Sequence, residues 1–259
     1  MIREAKKLGH RNKYDFGQTV RSDFQHNMLG KHHTARIQAK NAYGQSKLTS
    51  LVVELKQKLL ITLLGFTRGQ TDARTFELAI KRLLKQGHEQ AYLLGMNATG
   101  FEGNSLPEVD RKWVTQNRYD EHTYLNAFID DVGNGRGRLN YSKRLMLYAD
   151  AVKGTYNAGR NAYMPTNMLV YWRLETGINP KTGKKVNHCD SCKTLSEMSP
   201  FTVQNLPLVP RTNHTLCMSG CKCKLVYVSS TEAKVREINN KLGASRTILA
   251  KLKARKLIK

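Results

Sequence analysis

Acidic residues and long apolar runs are what this sequence lacks. Its 259 residues include 20 Asp and Glu against 43 Lys and Arg, so the formal net charge is +23. The best candidate for a membrane span, residues 48–66, is interrupted by Glu54, Lys56 and Lys58, whereas a transmembrane helix needs about 20 predominantly apolar residues. The charge therefore predicts a polyanionic partner, with nucleic acid as the first candidate, and argues against a membrane partner.

An apolar N-terminal region of the kind that directs secretion is also missing. Residues 1–6 read Met-Ile-Arg-Glu-Ala-Lys, and a signal peptide needs an apolar central region after its basic start. We therefore expect synthesis and folding in a reducing cytoplasm, where free thiols or a metal site are more common than disulfides.

Cysteine is absent from most of the chain and concentrated in one segment. All five cysteines lie within residues 189–223, as Cys189 and Cys192 and then, after a gap of 24 residues, Cys217, Cys221 and Cys223. A Cys-x-x-Cys pair places two sulfurs on one tight turn, and a second cysteine group farther along the chain can complete a tetrahedral zinc site. The spacing predicts a structural zinc site, with free thiols and disulfides as the alternatives.

The spacing does not fix which groups bind the metal. The candidate ligands are Cys189, Cys192, Cys217, Cys221, Cys223 and His214, with His188 as a further candidate. Cys221 and Cys223 are separated by one residue, an awkward spacing for a single ion if the backbone is extended, so one of the later cysteines is a candidate spare. A site closed by four cysteines holds no water and has a structural role. Three nearby lysines are expected to favour the thiolates, namely Lys193, Lys222 and Lys224.

Apolar residues recur at helical spacing through the middle of the chain. A stripe with steps of three, four and seven residues, as in an amphipathic helix, runs through four segments: 45–66, 71–94, 106–132 and 140–163. After Pro165 the pattern changes to short strand-like segments, residues 168–172 and 224–228, on either side of the cysteines. The predicted fold class is therefore α+β, mainly α.

Four regions follow from these patterns. They are a basic N-terminal arm predicted to be extended or ordered only in an assembly (residues 1–44), a domain of about four helices (45–165), a small β-rich cysteine module (166–230) and a basic C-terminal helix (231–259). Residues 1–50 carry ten Lys and Arg against three acidic residues, and residues 231–259 carry nine against two. Both ends of the chain are therefore strongly basic.

Basic residues in these ends and in a glycine-rich loop are the candidate DNA contacts. They are Arg3, Lys6, Lys7, Arg11, Lys13, Arg136, Arg138, Lys251, Lys253, Arg255, Lys256 and Lys259. Such side chains neutralise phosphates without reading base edges. The prediction is therefore non-specific binding of double-stranded DNA.

The motifs do not favour an enzyme. The glycine-rich run at residues 133–138 lacks the preceding strand and the following Lys-Ser/Thr of a P-loop, so it is interpreted as a basic surface loop. Asp130 and Asp131 have no second acidic cluster and are expected to be solvated or in salt bridges with the Arg-rich loop. Asn213 and His214 beside the cysteines invite comparison with nucleases of the His-Asn-His type, whose further His and Asn are missing here. We expect no enzymatic activity, with a zinc-supported nuclease as a less favoured alternative.

Several motifs follow one another in a fixed order between residues 75 and 228. They are residues 86–95 (QGHEQAYLLG), the Asn- and Ala-rich residues 156–162, Tyr171-Trp172-Arg173, Cys189 to Cys192, residues 206–210 (LPLVP), and residues 221–225 (CKCKL). In this order they resemble the minor head proteins of tailed bacteriophages. That family is named after the F protein of phage Mu and is also called the head morphogenesis family.

The resemblance implies a structural protein of the virion. It implies a position in the phage head near the portal, portal and other virion proteins as partners, several copies per particle, and assembly in the host cytoplasm. A head-to-tail adaptor, an internal ejected protein and a cellular zinc protein that binds nucleic acid are the alternatives. Two positions depart from the family pattern. Met218 stands where the family has His, so that Cys217 is a candidate substitute, and Lys222 replaces an Arg and loses its planar fork.

Overall fold

The structure is a computed structural model that describes most of the chain. It covers residues 33–136, 140–178, 183–184, 186–212, 215–217 and 220–258, without the side chains of residues 33–39, 41 and 117–123. Within these ranges the chain forms seven helices and one three-stranded antiparallel sheet. The prediction of a mainly helical chain with a small β element is confirmed, whereas the helices are more numerous than predicted.

Four long helices make up the first part of the described chain. They are α1 (His33–Thr67), α2 (Ala73–Asn97), α3 (Glu108–Gly133) and α4 (Tyr141–Ala162). The Asp72 carboxylate accepts a hydrogen bond from the Thr75 backbone N–H at 2.8 Å, and the Asn140 side-chain oxygen accepts one from Lys143 N–H at 3.3 Å. These N-caps satisfy backbone donors that the helix leaves unpaired, and so fix where α2 and α4 begin.

Helix α1 extends into the segment that was predicted to be an extended arm. Residues 33–44 are helical, and among the α1 side chains that the structure describes, the first buried residues are Gly44 and Leu48. The segment is rich in Ala, Gln, Lys and Arg, which are good helix formers, and lengthening an existing helix costs far less than nucleating one. The missing apolar periodicity therefore does not prevent helix formation here.

Helices α2 and α4 pack with their backbones in direct contact. A Cβ atom added to Gly95 would lie 2.2 Å from the backbone oxygen of Tyr156, and one added to Gly159 would lie 2.3 Å from the backbone oxygen of Tyr92. Each helix thus presents a glycine to the other, and no larger residue fits at either point. Fully buried apolar side chains from α1 to α4 surround this contact, including Leu59, Ile80, Leu84, Leu125, Leu145 and Val152.

A small sheet follows the four helices. In spatial order its strands are β2 (Phe201–Thr202), β1 (Met168–Arg173) and β3 (Lys224–Ser229), with β1 antiparallel to both neighbours. Val170 pairs with Phe201 on one side and with Tyr227 on the other. A short helix, α5 (Asp190–Glu197), lies between β1 and β2 in the chain. The region predicted as β-rich therefore also contains a helix, and that helix carries a cysteine.

The basic C-terminal segment forms two helices where one was predicted. Helix α6 (Glu232–Leu242) and helix α7 (Ser245–Ala254) are separated by Gly243, whose φ angle is 72°. Glycine adopts a positive φ without steric strain, so the chain changes direction at this point. The turn lets α7 insert Ile248 and Leu252 into the core that contains the cysteines.

Two apolar cores result from this arrangement. The helical core lies among α1 to α4 and uses residues between Leu48 and Tyr156. The cysteine core surrounds the sheet and includes Trp172, three cysteines, and residues of α2, α4 and α7. None of the helices in the described ranges is both long enough and apolar enough to span a bilayer.

Candidate metal centre

Cys189 and Cys192 lie at the N-terminal end of α5. Cys189 is the N-cap residue, in an extended conformation, and its carbonyl accepts hydrogen bonds from the N–H groups of Cys192 and Lys193 at 3.0 and 3.1 Å. This turn holds the two sulfurs within 4.8 Å of each other. The partial positive charge of a helix N-terminus also favours thiolates, the form in which cysteine binds metal.

The other three cysteines come from the chain that leads into β3. The Cys217 carbonyl accepts a hydrogen bond from Gly220 N–H at 3.0 Å, which closes a turn. Cys221 and Cys223 directly precede β3, and the pairing of β3 with β1 anchors them at the edge of the sheet. Both are buried in the cysteine core.

The structure brings the two cysteine groups together around Cys192. Its sulfur lies 3.5 Å from Cys217 Sγ and 3.6 Å from Cys221 Sγ. The sulfurs form two sets of three, and within each set all three sulfurs lie within 4.8 Å of one another. One set is Cys189, Cys192 and Cys217, and the other is Cys192, Cys221 and Cys223. The predicted convergence of sulfurs distant in sequence is therefore confirmed, and the five cysteines are close enough to bind a metal ion.

The geometry and the donor types suit zinc. Zinc–sulfur bonds are about 2.3 Å long, so two sulfurs on one tetrahedral zinc ion are about 3.8 Å apart. The distances from Cys192 to Cys217 and Cys221 are close to this value. His188 Nδ1 lies 3.6 Å from Cys223 Sγ, close to the roughly 3.6 Å expected between a nitrogen and a sulfur on one zinc ion. These residues would hold zinc as a structural cross-link.

The thiols strongly perturb one another. Hydrogen bonding to Cys217, and then to Cys221 and Cys223, raises the pKa of the Cys192 thiol. The hydrogen bonds with Cys192 in turn lower the pKa of Cys221 and bring the pKa of Cys223 down to about 4. The predicted effect of nearby lysines is not the main cause, and Lys193 instead forms an ion pair with Asp190 at 3.2 Å. A metal ion replaces shared protons of this kind when it binds.

Two residues that the sequence did not point to brace the centre. The Ser191 hydroxyl accepts a hydrogen bond from Leu216 N–H at 3.0 Å and donates one to the Leu257 carbonyl. Thr215 forms an isolated β-bridge with Ile258. Ser191 and Thr215 are almost completely buried. The loop that carries Cys217 and the end of the chain after α7 are therefore both fastened to α5.

The Asn-rich motif on α4 fastens the cysteine module to the helical part. Asn157 donates to the Pro210 carbonyl at 3.4 Å, and Asn161 donates to the Val203 carbonyl at 3.5 Å. A Cβ on Gly154 would lie 2.3 Å from the backbone oxygen of Arg211, so this loop rests directly on the helix. The Arg160 guanidinium stacks on the Tyr227 ring at 4.5 Å. The motif thus makes structural contacts.

A buried carboxylate ties three segments together nearby. Asp110 of α3 is fully buried and accepts hydrogen bonds from the hydroxyls of Tyr92, at 2.7 Å, and Tyr163, at 2.5 Å. Of the acidic pair considered earlier, Asp131 forms an ion pair with Arg144 of α4 at 2.5 Å. Asp131 is therefore in a salt bridge, but its partner lies on α4 and not in the Arg-rich loop that was predicted to supply it.

Part of the predicted basic surface can be located. Arg136, Lys251, Lys253, Arg255 and Lys256 are exposed, and none of them is in an ion pair with another described residue. The four C-terminal residues lie close together in sequence, on and just after α7, and are called the C-terminal patch. The remaining candidates lie outside the described residues, namely Arg3, Lys6, Lys7, Arg11, Lys13, Arg138 and Lys259, as does the candidate ligand His214.

Comparison with known proteins gives no relative. No protein-family model, no curated protein and no solved structure matches the chain. Three of the five cysteine sulfurs are buried, and a centre enclosed in this way is typical of metal sites that stabilise a fold.

Proposed function

We propose that the chain is a structural protein of a tailed-bacteriophage head. In this proposal it is a minor head, or head morphogenesis, protein that is assembled in the host cytoplasm, lies near the portal in several copies, and contacts packaged double-stranded DNA without sequence specificity. Its cysteine cluster holds zinc as a cross-link, and the chain has no catalytic role.

The observation that carries the proposal is the meeting of the resemblance motifs in one place. Each motif that resembles the minor head family contributes to the cysteine core, through residues that include Tyr92, Ala158, Trp172, Cys192, Leu206, Leu208, Val209, Cys221, Cys223 and Leu225. Motifs that belong to the same fold are expected to lie in contact with one another. The packing therefore supports a resemblance that rests on the order of short motifs.

The roles of polar residues in these motifs support a structural rather than a catalytic protein. Asn157 and Asn161 donate to backbone carbonyls of the loop at residues 203–210. The Tyr227 hydroxyl donates to the Asn161 side-chain oxygen at 3.2 Å. These polar groups are thus used in joining the two parts of the chain.

The C-terminal patch supports contact with DNA. Lys251 and Lys253 are exposed on α7, which Ile248 and Leu252 hold in the cysteine core, and the exposed Arg255 and Lys256 follow directly after the helix. A rigidly held cluster of cations binds phosphates with little ordering cost. Binding of this kind releases counterions, so it weakens steeply as salt is added.

Filter binding of a duplex tests the DNA contact. Replacing Lys251, Lys253, Arg255 and Lys256 by Gln should lower affinity at low salt and reduce the slope of log K against log salt by up to about 4, because each phosphate contact contributes about 0.9. The control variant replaces four lysines that lie in ion pairs elsewhere on the surface, namely Lys58, Lys85, Lys112 and Lys234. It carries the same net charge and should keep the larger slope. Equal slopes for the two variants would exclude the patch as the DNA contact.

Cross-linking of purified particles tests the location. Mass spectrometry of intact phage particles should find the chain in the head fraction, with cross-links from its lysines to the portal protein. Cross-links to tail proteins alone would indicate a head-to-tail adaptor.

A plasmid-nicking assay tests the absence of a catalytic role. Nicking of plasmid in the presence of Mg²⁺ or Mn²⁺, abolished by His214→Ala, would contradict the structural role and support a nuclease.

A further inference from the structure

The cysteine cluster contains more metal-binding donors than one zinc ion can use. Five thiols and the His188 imidazole lie together, whereas a structural zinc ion takes four ligands. A single ion would leave two donors unused beside a bound metal. The arrangement of the six donors is therefore informative.

Two of the six donors occupy the middle of the cluster. Cys192 and Cys221 lie 3.6 Å apart and are the most deeply buried sulfurs, with exposures of 0% and 1%. Cys192 belongs to both sets of three neighbouring sulfurs, and Cys221 belongs to the set that contains Cys223. Cys192 is thus shared by both ends of the cluster, and Cys221 lies directly beside it.

The other four donors form one pair at each end. Cys189 and Cys217 lie with Cys192 in one set of three sulfurs, and Cys223 lies with Cys192 and Cys221 in the other set. The His188 ring joins the second end, with Nδ1 3.6 Å from Cys223 Sγ.

The second ring nitrogen of His188 has a partner that orients the ring. Nε2 lies 2.7 Å from the Glu175 carbonyl oxygen. A carbonyl only accepts hydrogen bonds, so Nε2 carries the proton and Nδ1 keeps its lone pair for a metal. A histidine ligand held by a backbone carbonyl through its other nitrogen is a common arrangement at metal sites.

We propose that the cluster binds two zinc ions that share the thiolates of Cys192 and Cys221. One ion has Cys189 and Cys217 as its remaining ligands, and the other has Cys223 and His188. Two four-coordinate ions need eight ligand positions, and six donors supply eight when two of them bridge. Five thiolates and two divalent ions give a net charge of −1, smaller in magnitude than the −2 of one ion with four thiolates. The cluster belongs to the proposed structural role, but it does not depend on the location in a phage.

Metal analysis of the full-length chain tests this proposal. Protein purified under reducing conditions and dialysed against a weak chelator should contain two zinc ions per chain. One ion per chain would overturn the shared-thiolate arrangement while leaving a structural zinc site in place. No retained metal would overturn both the cluster and the zinc part of the proposed function, whereas DNA binding and particle location are measured separately.

Two variants test the ligand assignment from opposite ends. His188→Ala should lose one of the two zinc ions, and Cys217→Ser should lose the other, each leaving about one ion per chain. Asn187→Ala, an exposed neighbour of His188, is the matched control and should keep both ions. An unchanged zinc content in His188→Ala would remove His188 from the ligand set and overturn the proposal.

NMR of the cadmium-substituted wild-type chain gives a readout that does not depend on any variant folding. Two cadmium signals with mutual scalar coupling are expected, because a bridging thiolate connects the two ions through two bonds. A single signal, or two signals without coupling, would contradict shared thiolates.

Discussion

The two cores of the chain differ in what holds them together. The helical core is formed by four helices of 22 to 35 residues, with large apolar side chains and two glycine contacts between α2 and α4. The cysteine core is formed by strands of two and six residues, an eight-residue helix and loops, which pack against residues of α2, α4 and α7. Such short elements have few backbone hydrogen bonds of their own. The cysteine core therefore gains most from a cross-link, and this is where the chain places all its cysteines.

The cysteine region depends on the helical part for its position. The loops of the cysteine region are fastened to α4 through Asn157, Asn161 and Gly154, whereas the residues of the helical core lie between positions 48 and 156 and include no cysteine. We infer that the helical part folds without metal and supplies a frame for the rest. Four predictions test this difference.

Metal removal should separate the two cores. Structural zinc contributes about 10 kcal/mol or more to folding in small metal-dependent domains, so chelation should unfold much of the cysteine region. Hydrogen exchange should then show loss of protection at residues 168–228 and in α7, with protection retained in α1, α2 and most of α4. Addition of zinc should restore the original pattern. Equal loss of protection in both cores would show that the helical part is not independent.

Overpacking the glycine contact should damage the helical core instead. In Gly159→Ala the new methyl group would lie 2.3 Å from the backbone oxygen of Tyr92, and the helices must move apart at a cost of about 2–3 kcal/mol. Gly133→Ala is the control, because nothing lies within 4 Å of the added Cβ atom there. Thermal unfolding should show a loss of stability for Gly159→Ala and none for Gly133→Ala. Zinc content should remain unchanged in both variants.

The features that the sequence predicts well are those set by short-range pattern. Helical periodicity predicts four helices, and the spacing of the cysteines predicts that they meet. The sequence Ser105-Leu106-Pro107-Glu108 predicts a capping box with Ser105 as the N-cap, but α3 begins at Glu108 with Pro107 in the cap position and no side-chain cap. A capping-box sequence near the start of a helix is therefore not enough to identify the first residue of that helix.

The features that the sequence does not predict depend on contacts between distant segments. Ser191 is an unremarkable residue between two cysteines until the loop at Leu216 and the chain end at Leu257 meet its hydroxyl. Likewise, the ring position of His188 depends on the Glu175 carbonyl. The break at Gly243 was predictable from glycine, but its consequence, the packing of α7 against the cysteine core, is a tertiary contact.

Loss of the Ser191 hydroxyl should loosen the cysteine core without unfolding it. Ser191→Ala removes the hydrogen bonds to Leu216 and Leu257, each of which contributes about 0.5–1.5 kcal/mol. Limited proteolysis should then cut more rapidly near Gly243, because the chain end after α7 is no longer fastened. Ser196 is a partly buried serine of the same helix, and Ser196→Ala should leave the rate of cleavage near Gly243 unchanged. Unchanged proteolysis in Ser191→Ala would show that α7 is held by its apolar side chains alone.

The smallest effect is expected from an ion pair inside the helical part, and it should depend on pH. Burial alone would raise the pKa of Asp150, but hydrogen bonds from Lys153 and Lys56 outweigh it and lower the pKa below its usual value. The contribution of the ionised carboxylate is therefore fully present above the unfolded pKa of about 4 and is lost as the pH falls through the lower folded value.

Asp150→Asn should destabilise the chain by about 1 kcal/mol at neutral pH, since Lys56 and Asp150 are mostly shielded from water. Urea unfolding followed by helix content should show this difference shrinking below about pH 4, where the wild type loses the same interaction. Glu54→Gln removes an exposed pair with Lys58 and should show no such dependence, and a pH-independent effect of Asp150→Asn would mean that Asp150 acts through packing rather than through charge.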